Sequence, residues 1–392
     1  MARNRIIHNV QDVFVGSTPD EVDNLVTGIV DHQLLKRITR VQTFSYSINT
    51  PQDDALSLGK SVPFSRKSNS PPQVSLSMSY LLNGVDNENR IGLNTGVAKC
   101  INHDILSSKT KDARNFYLTI NEQEENIHKD NAFPNPLALS EGNVGDPYAT
   151  GYSIVSFQNC YLDSYDLTIS PQSLPEVSLS YTADNMVGYS SGSGIEIPKL
   201  QAKQGNITGD GTEFIIPKSF KDDSNYTSSF TKDYSRTVVS INPSSSNGVT
   251  GFLADEITNC KISFSIDRED VSYVGHKLVS ERKPKLPAQC SLDIDTLVSE
   301  NITGSFLDNM NENENYDVTV DLKSKSNETL AKFIFSGAKF ESLNYEASIA
   351  TNKVASLQFS NYIDLENQNQ GLFTEGKVTT AMSGSTVLYP QF

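Results

Sequence analysis

Apolar and polar residues alternate with a period of two along much of this chain of 392 residues. The segments Thr43–Ile48, Val74–Tyr80, Phe116–Ile120, Val177–Tyr181, Ile262–Ile266, Asp317–Asp321 and Leu357–Phe359 each place large apolar residues at one parity and mostly Ser, Thr, Asp or Gln at the other. Successive side chains of a strand point to opposite faces, so the alternation predicts antiparallel strands with one buried and one solvated face. The expected fold class is mainly β, an antiparallel sandwich or barrel. Helical signals are few: Ser17–Val22, with Pro in its first turn, and Ser326–Ala331 read as short helix starts.

The pattern repeats. A shift of 216 residues lays Gly59, Arg66, Lys67, Pro71, Gln73, Ser75, Leu76 and Leu81 on Gly275, Arg282, Lys283, Pro287, Gln289, Ser291, Leu292 and Leu297, all identities without a gap. Upstream, Phe44–Asn49 corresponds to Ile262–Asp267 with the inward positions in step. A second block matches at a shift of 178, with Phe157, Ser164, Ser178 and Leu179 on Phe335, Ser342, Ser356 and Leu357. The fall from 216 to 178 leaves 38 more residues between the blocks in the first copy. This excess is expected at about 95–150, where Lys109–Asp112 and Asn131–Pro136 read as loops. The expected organisation is an N-terminal arm (1–30), a first domain (31–187) carrying that insertion, a polar connector (188–249) with a hairpin near Phe214–Ile216, a second domain (250–365) and a C-terminal segment (366–392). Duplication admits two readings: tandem domains that fold separately, or equivalent domains at successive positions around a ring.

The first residues carry an apolar cluster, Ile6, Ile7, Val10, Val13, Phe14 and Val15, followed by Leu25, Val26, Ile29, Val30, Leu34 and Leu35. Left in water, such a segment would promote aggregation. It either completes the core of the first copy as a strand and a helix or lies as an arm on a neighbouring chain.

Charge narrows the functional classes. Lys and Arg number 32 against 47 Asp and Glu, a net charge of −15, which argues against binding nucleic acid by neutralising phosphates. No run approaches the roughly 18 apolar residues that a membrane helix needs, and no apolar core follows the basic start, so neither membrane nor secretion is expected. Cys100, Cys160, Cys260 and Cys290 lie far apart in strand-like flanks and read as small buried hydrophobes rather than zinc ligands or disulfides. Phosphate-binding loops, G-x-S-x-G and H-E-x-x-H are absent, and the five histidines are scattered. No catalytic residue, metal site or cofactor is expected. Asn309–Asn315 reads as a hydrated turn rather than a calcium loop.

The opening Met1–Gly16, followed by Arg40–Tyr46, is similar to openings of virion structural proteins of tailed phages. Each copy also resembles the tail-tube domain of that family in its order: a strand, a long loop rich in Pro and charge, a returning strand, and a later pair, Ser156–Tyr165 with Val177–Tyr181 and Phe335–Leu343 with Ser356–Phe359. The resemblance implies stacked rings that form a tube conducting the genome, in the virion, assembled in the host cytoplasm. Two copies per chain imply trimeric rings, pseudo-hexameric in their domains. The implied partners are further copies of the chain and other tail proteins, with double-stranded DNA passing the lumen without specific binding. A tube-terminating or baseplate-proximal protein, or a two-domain adhesin that binds sugars, are the alternatives. Such a lumen should repel phosphates weakly, which makes Asp293 and Asp295 on one strand, and Asp317 and Asp321 on another, candidate lumen-facing residues. The loops Thr50–Pro72 and Arg268–Pro287 hold the aligned basic pairs Arg66-Lys67 and Arg282-Lys283, candidate contacts between rings.

Overall fold

The computed structural model describes residues 11–17, 36–55, 58–59, 61–62, 65–67, 72–82, 84–107, 112–121, 152–170, 173–190, 234–243, 252–254, 257–271, 273, 279, 281–297, 315–324, 329–346, 354–363, 365 and 370–376. All seven alternating segments are strands, and every strand pairing is antiparallel. The helix expected at Ser326–Ala331 is overturned where it is described. Thr329, Leu330 and Ala331 begin a long strand, because neighbouring strands take up its backbone groups. Of the other expected helix, Ser17 ends a strand and the rest lies outside the described residues, as does the hairpin at Phe214–Ile216.

The chain opens with β1 (Gln11–Ser17) and β2 (Lys36–Arg37). A first series follows: β3 (Val41–Asn49), the short hairpin β4 (Asp53–Ala55) and β5 (Ser65–Lys67), β6 (Gln73–Leu81), the single turns α1 (Asp86–Arg90) and α2 (His103–Leu106), β7 (Arg114–Asn121), β8 (Tyr152–Ile169) and β9 (Glu176–Ser190). Next come β10 (Tyr234–Pro243) and β11 (Phe252–Ala254). A second series runs through β12 (Ile257–Ser265), the hairpin β13 (Arg268–Val271) and β14 (Glu281–Pro284), β15 (Gln289–Leu297), β16 (Tyr316–Ser324), β17 (Thr329–Glu346) and β18 (Val354–Tyr362), with β19 (Gly371–Gly376) closing the described chain.

The two series pair in the same order. In the first, β3 pairs β6, β6 pairs β9, β9 pairs β8 and β8 pairs β7. In the second, β12 pairs β15, β15 pairs β18, β18 pairs β17 and β17 pairs β16. The strands β8 and β17 have 18 residues each, and both change partners midway. The first part of β8 lies beside β7 and its last six residues beside β12, while β17 passes from β16 and β19 to β18. The extra length of the first series falls on both sides of β7. It runs from β6 to β7, where the helical turns lie, and from β7 to β8, so the expected insertion at 95–150 is interrupted by a strand.

Three strands fall in segments expected to lie outside the two domains. Residues 11–17 of the N-terminal arm form β1, paired with β7 from Gln11↔Ile120 to Ser17↔Arg114, with Val13, Phe14 and Val15 buried. Within these residues the apolar cluster completes the core of its own chain. Part of the polar connector is β10, paired with β16, and part of the C-terminal segment is β19, paired with β17. Alternation supplies the reason, since Val239 and Ile241 in β10 and Leu372 in β19 are buried in the same apolar cluster as both series. The four cysteines are free and buried there.

Candidate functional site

Eight strands form one uninterrupted run in the order β3-β6-β9-β8-β12-β15-β18-β17. Its junction is the pairing of β8 with β12, from Ser164↔Ser265 to Ile169↔Cys260, which joins the long strand β8 of one series to the first strand of the next. Tyr165 stacks on Phe264 across this junction at 5.1 Å and 4°. Ile262 and Phe264 of β12, and Ile266 just after it, are buried. The corresponding residues of β3, at the free end of the run, are Phe44, half-buried, with Tyr46 and Ile48, which remain 43% and 47% exposed. The same alternating strand is thus covered in one place and open in the other.

The other face of the run is polar. A single row of paired positions crosses all eight strands: Thr43, Ser79, Ser178, Asp166, Ser263, Ser291, Ser360 and Lys339. Hydroxyls pair across it, Thr43 with Ser79 at 2.8 Å and Ser45–Ser77, Ser47–Ser75, Ser164–Ser180 and Ser263–Ser291 at 2.7 Å. Lys261 reaches Asp166 at 3.1 Å and lies opposite Asp293 in the register. Burial raises the Asp293 carboxyl above the usual carboxylate range against the pull of Lys261. Asp295 is on the same face and accepts hydrogen bonds from Asn259 Nδ2 at 3.2 Å and from Ser356.

Asp317 and Asp321 do not share that face. They belong to β16, which pairs with β10 and with the first part of β17, outside the eight-strand run. Asp317 accepts the backbone N–H of Gly337 at 2.9 Å and the hydroxyl of Ser336 at 3.1 Å. Gly337 has φ 71° at a bulge of β17, where the extra residue twists the strand. In the first series Asn159, with φ 51°, occupies the corresponding place 178 residues earlier, and its N–H is accepted by Asn115 Oδ1 at 2.9 Å. Both Asp317 and Asn115 therefore cap the amide of a left-handed bulge residue. Asp321 Oδ1 is buried with no hydrogen-bond partner among the described residues.

The basic pairs also separate. Arg282, on β14, binds Asp184 of β9 at 3.1 Å and Asp270 of β13 at 2.9 Å, and its side chain is only 11% exposed. Arg268 at the foot of the same hairpin binds Asp112 at 2.7 Å, donates to the Leu162 carbonyl at 3.3 Å and lies 5.1 Å from the Tyr161 ring centroid. Burial pushes the carboxyls of Asp184, Asp112 and Asp163 up in spite of these guanidinium groups. The β13–β14 hairpin is therefore a clasp from the second series onto the first. Arg282 is thus engaged inside its own chain. Lys283 is exposed beside Glu281 at 3.5 Å. Arg66 and Lys67 lie on β5, opposite Asp54 and Asp53 in the register.

Sequence reasoning missed the partners Asp112 and Asp184 and the bulge pair. The shift of 178 placed Asn159 on Gly337, two residue types that tolerate positive φ, and that signal was readable.

No protein-family model matches the chain, and no curated protein does. Among solved structures, the chain is similar to one in the cryo-EM structure of the anti-feeding prophage baseplate, at 13% identity over 36% of this chain and 93% of that one, TM-score 0.27. It is similar to one in the sheath-tube complex of the PVC extracellular contractile injection system in the extended state, at 16% identity over 36% and 89%, TM-score 0.27. A crystal structure of Hcp protein matches at 9% identity over 36% and 98%, TM-score 0.21.

Proposed function

We propose that this chain is a structural subunit of a phage-type tail tube, with three chains closing into a ring and rings stacking into a conduit for the genome. The observation that carries the reading is the β8–β12 junction. It pairs the long strand β8 of one series with the first strand of the next, and the run it creates ends in two edges of the same two kinds, β3 and the last part of β17, each paired on one side alone among the described residues. An open apolar edge such as β3 invites another strand, and closure of a barrel removes such edges. Carrying the internal register over by the shift of 178 and by the correspondence of Phe44–Asn49 with Ile262–Asp267 sets Leu343 of one chain opposite Tyr46 of the next, as Tyr165 is opposite Phe264.

Three chains of eight strands make a barrel of 24 strands. With strands about 4.8 Å apart and tilted by about 40°, its backbone would be roughly 48 Å across, wide enough for an open channel. The hydroxyl face then lines the lumen. It suits a sliding polyanion: Asp293 and Asp295 repel phosphates, and Lys261 is already engaged by Asp166. In this reading Asp317 and Asp321 belong to the outer layer. Native mass spectrometry with electron microscopy tests the proposal. Rings of three chains with a central hole are expected, whereas six chains per ring, or monomers at every concentration, would refute it.

A further inference from the structure

The clasp inside the chain has a twin. The hairpin β4–β5 occupies, between β3 and β6, the place that β13–β14 occupies between β12 and β15, and the two share more than position. Asp54 stands opposite Arg66 in the first as Asp270 stands opposite Arg282 in the second, each pair separated from its twin by 216 residues. The second hairpin closes on Tyr161, Leu162 and Asp184, with Asp163 nearby and electrostatically coupled to both arginines. A shift of 178 carries Tyr161, Leu162, Asp163 and Asp184 to Lys339, Phe340, Glu341 and Tyr362. The correspondence is structural too, since Asp163 and Glu341 are each the extra residue of a register shift, in β8 and in β17.

This second landing place is open. Glu341 is exposed, with Gln289 Nε2 at 3.5 Å its one hydrogen-bond partner among the described residues, and Tyr362 is 56% exposed although it is a large aromatic residue. Resting on the ring reading above, we infer that the β4–β5 hairpin of one chain clasps a second copy of the chain, with Arg66 pairing Glu341 and lying against the ring of Tyr362. Glu341 offers Arg66 the opposite charge and Tyr362, in the place of Asp184, offers it an aromatic face, while Lys339 stands where Tyr161 stands in the internal clasp. The chemistry of the two clasps differs. The internal one uses two arginines and two buried carboxylates, whereas Thr50 follows β3 where Arg268 follows β12 and Tyr362 replaces Asp184. The clasp between chains is accordingly the weaker and more salt-sensitive of the two. It acts within a ring, between neighbours around its circumference.

A charge swap tests this. The concentration at half-assembly of rings is measured by analytical ultracentrifugation for the wild type, Arg66→Glu, Glu341→Lys and the double variant, with circular dichroism as the check on folding. Each single reversal is expected to raise that concentration by roughly tenfold or more, and the double variant to return to within about threefold of the wild type. Tyr362→Ser should weaken assembly without changing the fold. If wild-type rings form and the reversals leave assembly unchanged, or the double variant is no better than the singles, the clasp is refuted while the ring stands. If the wild type forms no rings, the ring reading itself fails and the clasp with it.

Discussion

Glu88 is fully buried on α1, where Tyr80 donates a hydrogen bond to its Oε1 at 2.8 Å and Tyr165 a longer one at 3.3 Å. Burial raises its carboxyl from an ordinary 4.5 to about 7, against the hydrogen bonds that favour the charged form. The consequence for stability has a definite sign. Below about pH 4.5 both folded and unfolded chains hold the proton, and the stability tied to this group is fully present. Between 4.5 and 7 the unfolded chain releases its proton while the folded chain keeps it, so stability falls as pH rises and levels off above 7. At roughly 1.4 kcal/mol for each pH step, the fall amounts to about 3 kcal/mol. Glu88→Gln is neutral at every pH and retains the oxygen that accepts from Tyr80. Relative to the wild type, it should gain about 2 to 3 kcal/mol on going from pH 4.5 to pH 8, with the change concentrated between pH 5 and 7. Urea unfolding of the unassembled chain, followed by far-ultraviolet circular dichroism because the chain has no tryptophan, measures the difference at each pH. A difference that stays constant from pH 4.5 to 8 would refute the assignment.

Three further outcomes follow from particular contacts. Arg282→Ala leaves the buried Asp184 without its guanidinium and should cost about 3 to 5 kcal/mol in urea unfolding, part of which Asp184→Asn should recover. Asp317→Ala strands the Gly337 amide and should cost about 1 to 3 kcal/mol in the same assay, whereas Asp317→Asn, which imitates Asn115, should stay close to the wild type. Tyr46→Ser combined with Ile48→Ser removes the half-exposed apolar face of β3. About half of the roughly 1.5 to 3 kcal/mol for each side chain remains to be gained on pairing, so ring assembly measured by sedimentation should weaken by roughly 10- to 100-fold per junction. Unchanged assembly would count against β3 as the joining edge.

The strands were legible because alternation records which face of a sheet meets the core, and Ser75, Ser77 and Ser79 or Ile262, Phe264 and Ile266 carry that record within a few residues. The repeat was legible for the same reason, since both series must fill equivalent inward positions. Ser326–Ala331 was misread because local helix signals say nothing of the strands β16 and β19 that wait beside Thr329–Ala331. Asp317 and Asp321 match Asp293 and Asp295 by parity, yet parity cannot say which strands lie beside β16. The pairing of Arg282 with Asp184 was not legible because the two are 98 residues apart in sequence. The polar row from Thr43 to Lys339 became visible only when eight registers were laid side by side.

The change of partner within β8 has a mechanical meaning. Its early residues run beside β7, its last six beside β12 at the junction, and Asn159 bends the strand between them. A displacement of the junction is therefore carried to β7 along covalent backbone, rather than across side chains that can slip past one another. Shear applied at one edge of the eight-strand run would load several antiparallel ladders at once, and β17 repeats the arrangement at the far end. A chain built this way transmits load through continuous strands that pass from one set of partners to another.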